Sequence, residues 1–305
     1  MLRGLVMAVG ILATTVCTSA SQPPQAPARA TFDAARAFEH LRAQVAIGPR
    51  PAGSTGIRQT RAYLTRQLTA MGLTVQEQPF VATTPLGPVE MVNLITVLPG
   101  RRPERILLTG HYDTKLYKDI VFVGASDGAS SAALLVELAR VLKDQPQEFT
   151  YEFIWFDGEE AMVEWDIDTD STYGSRYYVQ AAQKAGALAR IKAMVLVDMI
   201  GHRDLQIERD SHSAPWLTDI IWSAARRLGH GQIFRDVTTT IEDDHVHFVR
   251  AGIPSVDIID LNHFIARGHW HTASDDLAAV SERSLQIVGD VLLAALPDIE
   301  KHIAR

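Results

Sequence analysis

The sequence contains a single cysteine and no long run of basic residues. Because Cys17 is the only cysteine, an intramolecular disulfide framework is excluded. The net charge is −7, with 29 Lys and Arg against 36 Asp and Glu, which argues against a nucleic-acid partner. Hydrophobic residues make up 47% of the chain, which is too many for a disordered protein. The 305 residues therefore predict one large globular domain or two small ones.

Several motifs that identify common enzyme classes are also missing. There is no HExxH helix, which excludes the metal site of thermolysin-like proteases. The dinucleotide-binding pattern GxGxxG and the phosphate-binding P-loop are absent as well. Any chemistry must therefore come from residues that the fold brings together from distant parts of the chain.

Residues 1–20 are predicted to be a secretory signal peptide. Arg3 provides a positive start, residues 5–13 are apolar, and small residues precede the expected cleavage point. The apolar run is short for a membrane span, so none is expected. Lipid anchoring at Cys17 is the less favoured alternative, and cleavage would remove this cysteine. Residues 21–30 predict a disordered Pro/Ala linker, and the mature protein is expected to be secreted or periplasmic.

The remaining residues, 31–305, predict one three-layer α/β domain. Apolar strand patterns alternate with helical patterns, without internal repeats or an interrupting linker. The clearest predicted strands span 105–110, 151–156, 193–197 and 253–259, and the clearest helices span 31–45, 57–71, 130–142 and 284–303. The segment EDDHVHF, with His245 and His247, is predicted to be a loop.

Side chains that can bind metals recur where predicted strands end. These residues are His111, Asp113, Asp127, Glu159, Glu160, Asp198 and His271. Open α/β sheets bind ligands outside the carboxyl ends of their strands. Zinc takes imidazole nitrogen and carboxylate oxygen, and a catalytic zinc site keeps one position open. One such acid alone is more often a cap or a surface charge, but the recurrence predicts an assembled metal site.

Seven segments occur in an order that resembles a known family. They are HYDTK (111–115), FVGASDGAS (122–130), FDGEEA (156–161), YGSR (173–176), LVDMIG (196–201), EDDH (242–245) and WHT (270–272). The set resembles the zinc aminopeptidase superfamily, and within it the animal-type glutaminyl cyclases, over nearly all of residues 31–305. The resemblance implies a single α/β/α domain with a central mixed, mostly parallel sheet.

The segment after the two glutamates distinguishes the cyclases from the hydrolytic members. Aminopeptidases of the superfamily carry a Gly–Ser pair a few residues past the glutamates. Here Ser175 lies 15 residues past Glu160, and Trp165 lies within the insertion. Both features resemble the cyclases, as does Lys115, more weakly.

The resemblance implies specific roles for residues of this chain. Asp127, Glu160 and His271 match the three protein ligands of a single zinc ion. Glu159 matches the acid/base that shuttles a proton, and Asp198 matches a carboxylate that forms hydrogen bonds in the active site.

The resemblance also implies a substrate pocket lined by Trp165 and Trp270, with Asp243 as a further hydrogen-bonding acid. Two departures stand out. Asp257 occupies the place where the animal enzymes have a histidine of the same network. Gly110 replaces the cysteine of a disulfide next to the metal region.

The reaction implied by the resemblance is cyclisation of an N-terminal glutamine of a peptide or protein to pyroglutamate, with release of ammonia. The alternative is a secreted di-zinc aminopeptidase. In that case His111 and Asp198 would hold a second metal about 3.5–4 Å from the first, and Glu159 would deprotonate a metal-bound water. With one metal, His111 would instead support the site as a hydrogen-bonding neighbour. A binding domain without activity is disfavoured because every ligand position is intact, and the oligomeric state stays open.

Overall fold

The computed structural model describes residues 1–2, 4–5 and 30–305. The expected cleavage site, Cys17 and residues 21–29 of the expected linker lie outside the described residues. Residues 30–305 form eight α-helices and eight β-strands. The strands are β1 (Gln76–Thr84), β2 (Gly87–Leu98), β3 (Arg102–His111), β4 (Phe149–Phe156), β5 (Ile191–Asp198), β6 (Ile207–Asp210), β7 (Phe234–Thr239) and β8 (Ser255–Ile259). The helices are α1 (Ala34–Ile47), α2 (Thr55–Ala70), α3 (Ala129–Leu142), α4 (Tyr173–Lys184), α5 (Pro215–Arg227), α6 (His245–Arg250), α7 (Leu261–Ala266) and α8 (Glu282–Ile303).

Six strands form one mixed sheet in the order β1-β2-β4-β3-β5-β8. Strands β4, β3, β5 and β8 run parallel to one another. Strand β2 pairs antiparallel with β4, and β1 pairs antiparallel with β2. The two short strands β6 and β7 form a separate parallel pair. The expected mixed, mostly parallel sheet is confirmed.

Helices cover both faces of this sheet. Along β4, Phe153 and Trp155 face the core layer that contains α1, α3, α5 and α8, whereas Ile154 and Phe156 face the layer that contains α4 and α6. Because strand side chains alternate between faces, a strand covered on both sides is apolar throughout. Full burial of a side chain as large as Trp155 stabilises the fold by roughly 1.5–3 kcal/mol. The three-layer α/β/α arrangement is confirmed.

The predicted element boundaries hold where a hydrophobic pattern is long. Helix α1 begins three residues later than predicted, because the Asp33 carboxylate caps the Arg36 N–H at 3.1 Å. The predicted EDDHVHF loop is wrong, since His245 begins helix α6. Strands β6 and β7 and helix α7 were not predicted. Each has only four to six residues, too few to display a hydrophobic period.

The parallel strands place their carboxyl ends at one edge of the sheet. His111 is the last residue of β3 and Asp198 the last of β5, while Glu159 and Glu160 follow the end of β4. This edge is where open α/β sheets bind ligands. Among the described helices, none combines the length and the apolar character that crossing a membrane requires.

Candidate active site

The two glutamates beyond β4 are held in place by a buried aspartate. The carboxylate of Asp113 accepts hydrogen bonds from the backbone N–H groups of Glu159 at 3.1 Å and of Glu160 at 3.2 Å. Its Oδ1 also lies 3.3 Å from His111 Nδ1. Asp113 therefore orients His111, and it also fixes the turn from which both glutamates project.

Asp127 is positioned by Asp275, a residue that sequence reasoning missed. The carboxylate of Asp275 accepts hydrogen bonds from the N–H groups of Ser126 at 2.7 Å and of Asp127 at 3.0 Å. Asp275 is fully buried and lies four residues past His271. It therefore joins the segment of one predicted metal ligand to the loop of another.

Arg50 was also missed by sequence reasoning, and it contacts the backbone of the loop that leads to Asp127. Its side chain is fully buried, and its guanidinium donates to the carbonyl oxygens of Tyr112 at 2.9 Å, Val123 at 2.5 Å and Gly124 at 2.8 Å. Burial lowers the pKa of Arg50 to about 10, so the group stays charged at neutral pH. Its sequence context, IGPRPAGSTG, gives only a loop composition, so no local signal could have found it.

The three predicted zinc ligands come together at the edge of the sheet. His271 Nε2 lies 3.4 Å from Asp127 Oδ2 and 3.2 Å from Glu160 Oε1. One ligand atom from each residue lies within 4.8 Å of the other two. The second oxygen of Glu160, Oε2, is buried and has no hydrogen-bond partner in the described chain. One imidazole and two carboxylates are ligands that zinc takes in catalytic sites, so these residues fit the ion.

The electrostatics of this cluster also favour a cation. Burial disfavours the charged form of His271, but Glu160 and Asp127 outweigh it and raise the pKa of His271 to about 10. Burial acts on Asp127 in the opposite sense, yet hydrogen bonds with His111 and His271 hold the pKa of Asp127 below its usual range. The carboxylates thus hold a proton on the imidazole, and a metal ion would replace that proton.

A second cluster adjoins the first and shares Asp127. His111 Nε2 lies 3.0 Å from Asp198 Oδ1 and 3.3 Å from Asp127 Oδ1. Its three ligand atoms also fall within 4.8 Å of one another. Asp127 therefore offers one oxygen to each cluster. The arrangement suits His111 either as a hydrogen-bonding neighbour or as a ligand of a second metal.

The side chains of Glu159 and Glu160 point to different neighbours. Glu160 faces His271, whereas Glu159 Oε2 lies 3.8 Å from His111 Nδ1. Burial, followed by the nearby Asp243 and Glu160 carboxylates, raises the pKa of Glu159 well above its usual value, against the opposing effect of His111. A carboxyl group with a raised pKa that is free of the ligand cluster is suited to proton transfer near neutral pH.

A cavity of about 530 Å³ opens above these residues. Eight predicted site residues line it: Asp127, Glu159, Glu160, Trp165, Asp198, Asp243, Trp270 and His271. Trp165 and Trp270 lie at its rim and are 37% and 39% exposed. The Trp270 ring stacks on His271 with a centroid distance of 4.1 Å. Of the residues predicted at strand ends, His111 and Asp113 do not line the cavity, and both are buried.

The inserted segment that carries Trp165 is ordered by Asp170. The Asp170 carboxylate accepts hydrogen bonds from the N–H groups of Met162, Val163 and Glu164, each at 2.9 Å, and from the Tyr173 hydroxyl at 2.7 Å. The insertion is therefore a defined loop that presents Trp165 to the cavity.

Asp257 lies in a buried network behind Asp243. Both of its carboxylate oxygens lack a hydrogen-bond partner within the described residues, and His245 Nδ1 is 3.8 Å from Oδ2. Burial, then the neighbouring Asp243 and Asp210, raises the pKa of Asp257 well above its usual value. His245 Nε2 also contacts Asp210 Oδ2 at 3.0 Å. At the place where the resemblance implies a histidine, this chain has Asp257, with His245 beside it.

Two residues near the strand ends have structural roles. The turn after β4 was predicted to be capped by Asp157, but this carboxylate instead accepts from the Val92 N–H of β2 at 2.8 Å. The residues Gly124 to Gly128 match the serine-hydrolase pattern GxSxG. The Ser126 hydroxyl is nevertheless buried without a partner in the described chain, so it is not an exposed nucleophile.

Comparisons with known proteins agree with this geometry. The model of peptidase family M28 matches residues 93–296. The chain is 31% identical over 279 residues to the glutaminyl-peptide cyclotransferase-like protein of Mus musculus, covering 82% of this chain and 72% of the mouse protein. The crystal structure of Acidobacteriales bacterium glutaminyl cyclase matches with a TM-score of 0.85 at 37% identity, covering 93% of this chain and 100% of that one.

A solved structure with a peptidase description matches as well. The Zn-dependent exopeptidase from Parabacteroides distasonis has a TM-score of 0.79 at 26% identity, covering 87% of this chain and 98% of that one. The fold is thus shared by proteins described as cyclases and by proteins described as peptidases.

Proposed function

The chain belongs to peptidase family M28 and is a glutaminyl-peptide cyclotransferase, and we propose that it acts with one zinc ion held by Asp127, Glu160 and His271. It converts the N-terminal glutamine of peptides to pyroglutamate and releases ammonia. The predicted resemblance to glutaminyl cyclases is confirmed by the named relatives. One observation carries the proposal: Trp165 and Trp270 flank the ligand cluster at a cavity that also contains Glu159.

The reaction is an intramolecular aminolysis. The α-amine nitrogen attacks the γ-carboxamide carbon, a new C–N bond closes the ring, and the C–N bond to the amide nitrogen breaks. A bound zinc ion supplies Lewis-acid polarisation of the γ-carbonyl oxygen. Glu159 accepts the proton from the attacking amine and delivers it to the departing nitrogen, help that is typically worth about 10²–10⁴-fold in rate.

The other residues of the cavity position the substrate. Asp198 and Asp243 offer carboxyl groups that hydrogen-bond the α-amine and the amide nitrogen. The rings of Trp165 and Trp270 form flat walls that favour the folded-back glutamine side chain, in which nucleophile and carbonyl carbon are close. His111 holds Asp198 through its 3.0 Å hydrogen bond and receives its own orientation from Asp113.

A second candidate function is hydrolysis of peptide N-termini by a di-zinc centre. The observation that favours it is the cluster of His111, Asp127 and Asp198, whose ligand atoms lie within 4.8 Å of one another. In that case Glu159 would deprotonate a water molecule instead of a substrate amine. The two functions differ in product and in the number of bound metal ions.

A paired assay separates the two functions. A peptide with N-terminal glutamine is followed by mass for loss of ammonia, and a peptide with N-terminal leucine is followed for release of free leucine. The zinc content is counted for the wild type, for His271→Gln and for His111→Gln. Ammonia loss by the wild type, with zinc lost in His271→Gln but retained in His111→Gln, supports the proposal. Leucine release, with zinc lost in both variants, contradicts it.

Glu159→Gln tests the proton-transfer role separately. The amide keeps the shape of the side chain but cannot accept the proton, so turnover should fall by about 10²–10⁴-fold. Zinc content should match that of the wild type, because Glu159 lies outside the ligand cluster. If zinc disappears along with activity, Glu159 acts as a ligand and the assignment is wrong.

Export of the chain is also proposed, because residues 1–20 have the pattern of a signal peptide. Mass analysis of the mature N-terminus tests it. A chain beginning at residue 21 supports export by cleavage, whereas a lipid-modified Cys17 would support the less favoured anchored form.

A further inference from the structure

We propose that His202, Asp260 and His263 form a second metal site, outside the catalytic cavity, that binds a divalent cation of the zinc class. Asp260 and His263 belong to the segment that leads from β8 to His271, and His202 follows β5. None of them lines the catalytic cavity, although Ile259 and Leu261, on either side of Asp260, do. The Asp260 side chain therefore faces away from the substrate, into a separate cluster.

The donor atoms already have nearly the spacing of a metal site. Asp260 Oδ2 lies 3.2 Å from His202 Nδ1 and 3.7 Å from His263 Nδ1. All three ligand atoms lie within 4.8 Å of one another. Ligands about 2.0–2.1 Å from a tetrahedral zinc are about 3.4 Å apart. The two distances from Asp260 Oδ2 are therefore within about 0.3 Å of this spacing.

Two polar atoms in the cluster are buried without a partner. Asp260 is fully buried, and within the described chain its Oδ1 accepts no hydrogen bond. His263 Nδ1 is equally buried and lacks a hydrogen bond to any described residue. Buried polar groups are almost always paired, because an unpaired one costs about 1–3 kcal/mol. A cation between these atoms would satisfy both.

The carboxylate is held in place for this role. Asp260 Oδ2 accepts a hydrogen bond from the Gln206 N–H at 3.1 Å. Outer partners of this kind commonly orient the ligands of metal sites. The imidazole of His202 is packed against the His269 ring, with a centroid distance of 5.4 Å.

The donor set determines the class of cation. Two imidazole nitrogens and one carboxylate suit zinc and neighbouring transition metals, whereas calcium and magnesium prefer oxygen ligands. Three protein ligands leave a fourth tetrahedral position for water. His263 is only partly buried, with 19% of its side chain exposed, so the cation can enter from its side.

A metal at this position would support the catalytic centre indirectly. His202 lies four residues past the end of β5, and His263 lies in α7, eight residues before His271. The cation would tie α7 to the sheet and so fix the start of the segment that carries Trp270 and His271. In this arrangement His263 is a positioning residue.

The test is the zinc content of the purified chain after exposure to excess zinc chloride and desalting. His263→Gln should contain about one zinc ion fewer than the wild type, while the control His230→Gln, remote from both clusters, should lose none. The same loss of one zinc should appear when His263→Gln is added to His271→Gln. The test compares the zinc content of each variant with that of its parent. The expected loss of one ion is therefore the same whether the catalytic centre contains one zinc ion or two.

Asp260→Asn provides a second variant that keeps the hydrogen bond to Gln206, should His263→Gln fold poorly. Loss of one zinc ion in either folded variant supports the site, and a further loss when His271→Gln is added separates it from the catalytic centre. Wild-type zinc content in both variants overturns the proposal. The identity of the catalytic reaction does not affect either result.

Discussion

Replacing Arg50 tests how the chain segment that leads to the proposed zinc ligand Asp127 is held in place. Arg50→Met keeps the length of the side chain but removes the charge and, with it, the three side-chain hydrogen bonds of 2.9 Å or less. The carbonyl oxygens of Tyr112, Val123 and Gly124 would then be left without this donor in a buried environment. Arg50→Lys is the matched control, because it restores the charge but cannot span three carbonyls with a planar fork.

The magnitude follows from these contacts. A hydrogen bond from a charged donor contributes about 1.5–3 kcal/mol, so three would give about 4.5–9 kcal/mol if they were additive. Removing the guanidinium also relieves the desolvation of a buried charge, which offsets part of this loss. Breaking a buried charged group from its partners costs about 3–5 kcal/mol in comparable cases, and we expect that value for Arg50→Met. It is a large share of the roughly 5–15 kcal/mol that stabilises a typical domain.

The assay is urea unfolding of both variants and the wild type, with zinc affinity measured in parallel. We expect a lower midpoint at unchanged slope for Arg50→Met, and an intermediate midpoint for Arg50→Lys. Because Val123 and Gly124 lead directly to Asp127, zinc affinity should fall about 10–100-fold. Arg50→Met with wild-type stability and wild-type zinc affinity would refute the reasoning.

Three further predictions follow from contacts around the cavity. Trp165→Ala should raise the KM for glutamine peptides with little change in zinc content; unchanged kinetics would show that the ring only packs. Asp170→Asn should have a similar but smaller effect on KM, because the loop loses charge-assisted hydrogen bonds, and a wild-type KM would argue against this role. Burial lowers the pKa of His247 to about 4. The unfolded chain therefore binds the extra proton, and stability should fall from about pH 6.5 towards pH 4, by about 2 kcal/mol at pH 5. His247→Gln should flatten that slope in pH-dependent unfolding, and an unchanged slope would contradict the assignment.

Part of the proposed site could be predicted because its residues stand at strand ends. Strand β4 finishes in the apolar run 153–156, so its end before Asp157 is clear from the sequence. The Glu159–Glu160 pair that follows must therefore lie at the edge of the sheet. The neighbouring parallel strand β3 places His111 at the same edge by the same rule. The order and direction of the strands therefore allowed these residues to be predicted from the sequence.

The residues that hold these ligands could not be predicted in the same way. Arg50 contacts carbonyl groups 62 to 74 residues away, and Asp275 contacts N–H groups 148 and 149 residues away. Their partners are backbone atoms, which have no sequence signature. The cluster of His202, Asp260 and His263 was missed for a related reason, since Asp260 follows β8 directly but His263 belongs to a helix of only six residues.

The hydrogen bonds from Asp275 to the segment of Asp127 have a consequence for the biogenesis of the enzyme. They join chain positions nearly half the sequence apart, and the ligand His271 lies close to the later of the two. A nascent chain that ends before His271 lacks this ligand. It also lacks Asp275, whose hydrogen bonds hold the segment of Asp127 in place. With Asp127, Glu160 and His271 as the proposed ligands, the complete site can therefore form only after the chain has been translated past Asp275. If the chain crosses a membrane unfolded, it must acquire its metal from the compartment in which it folds.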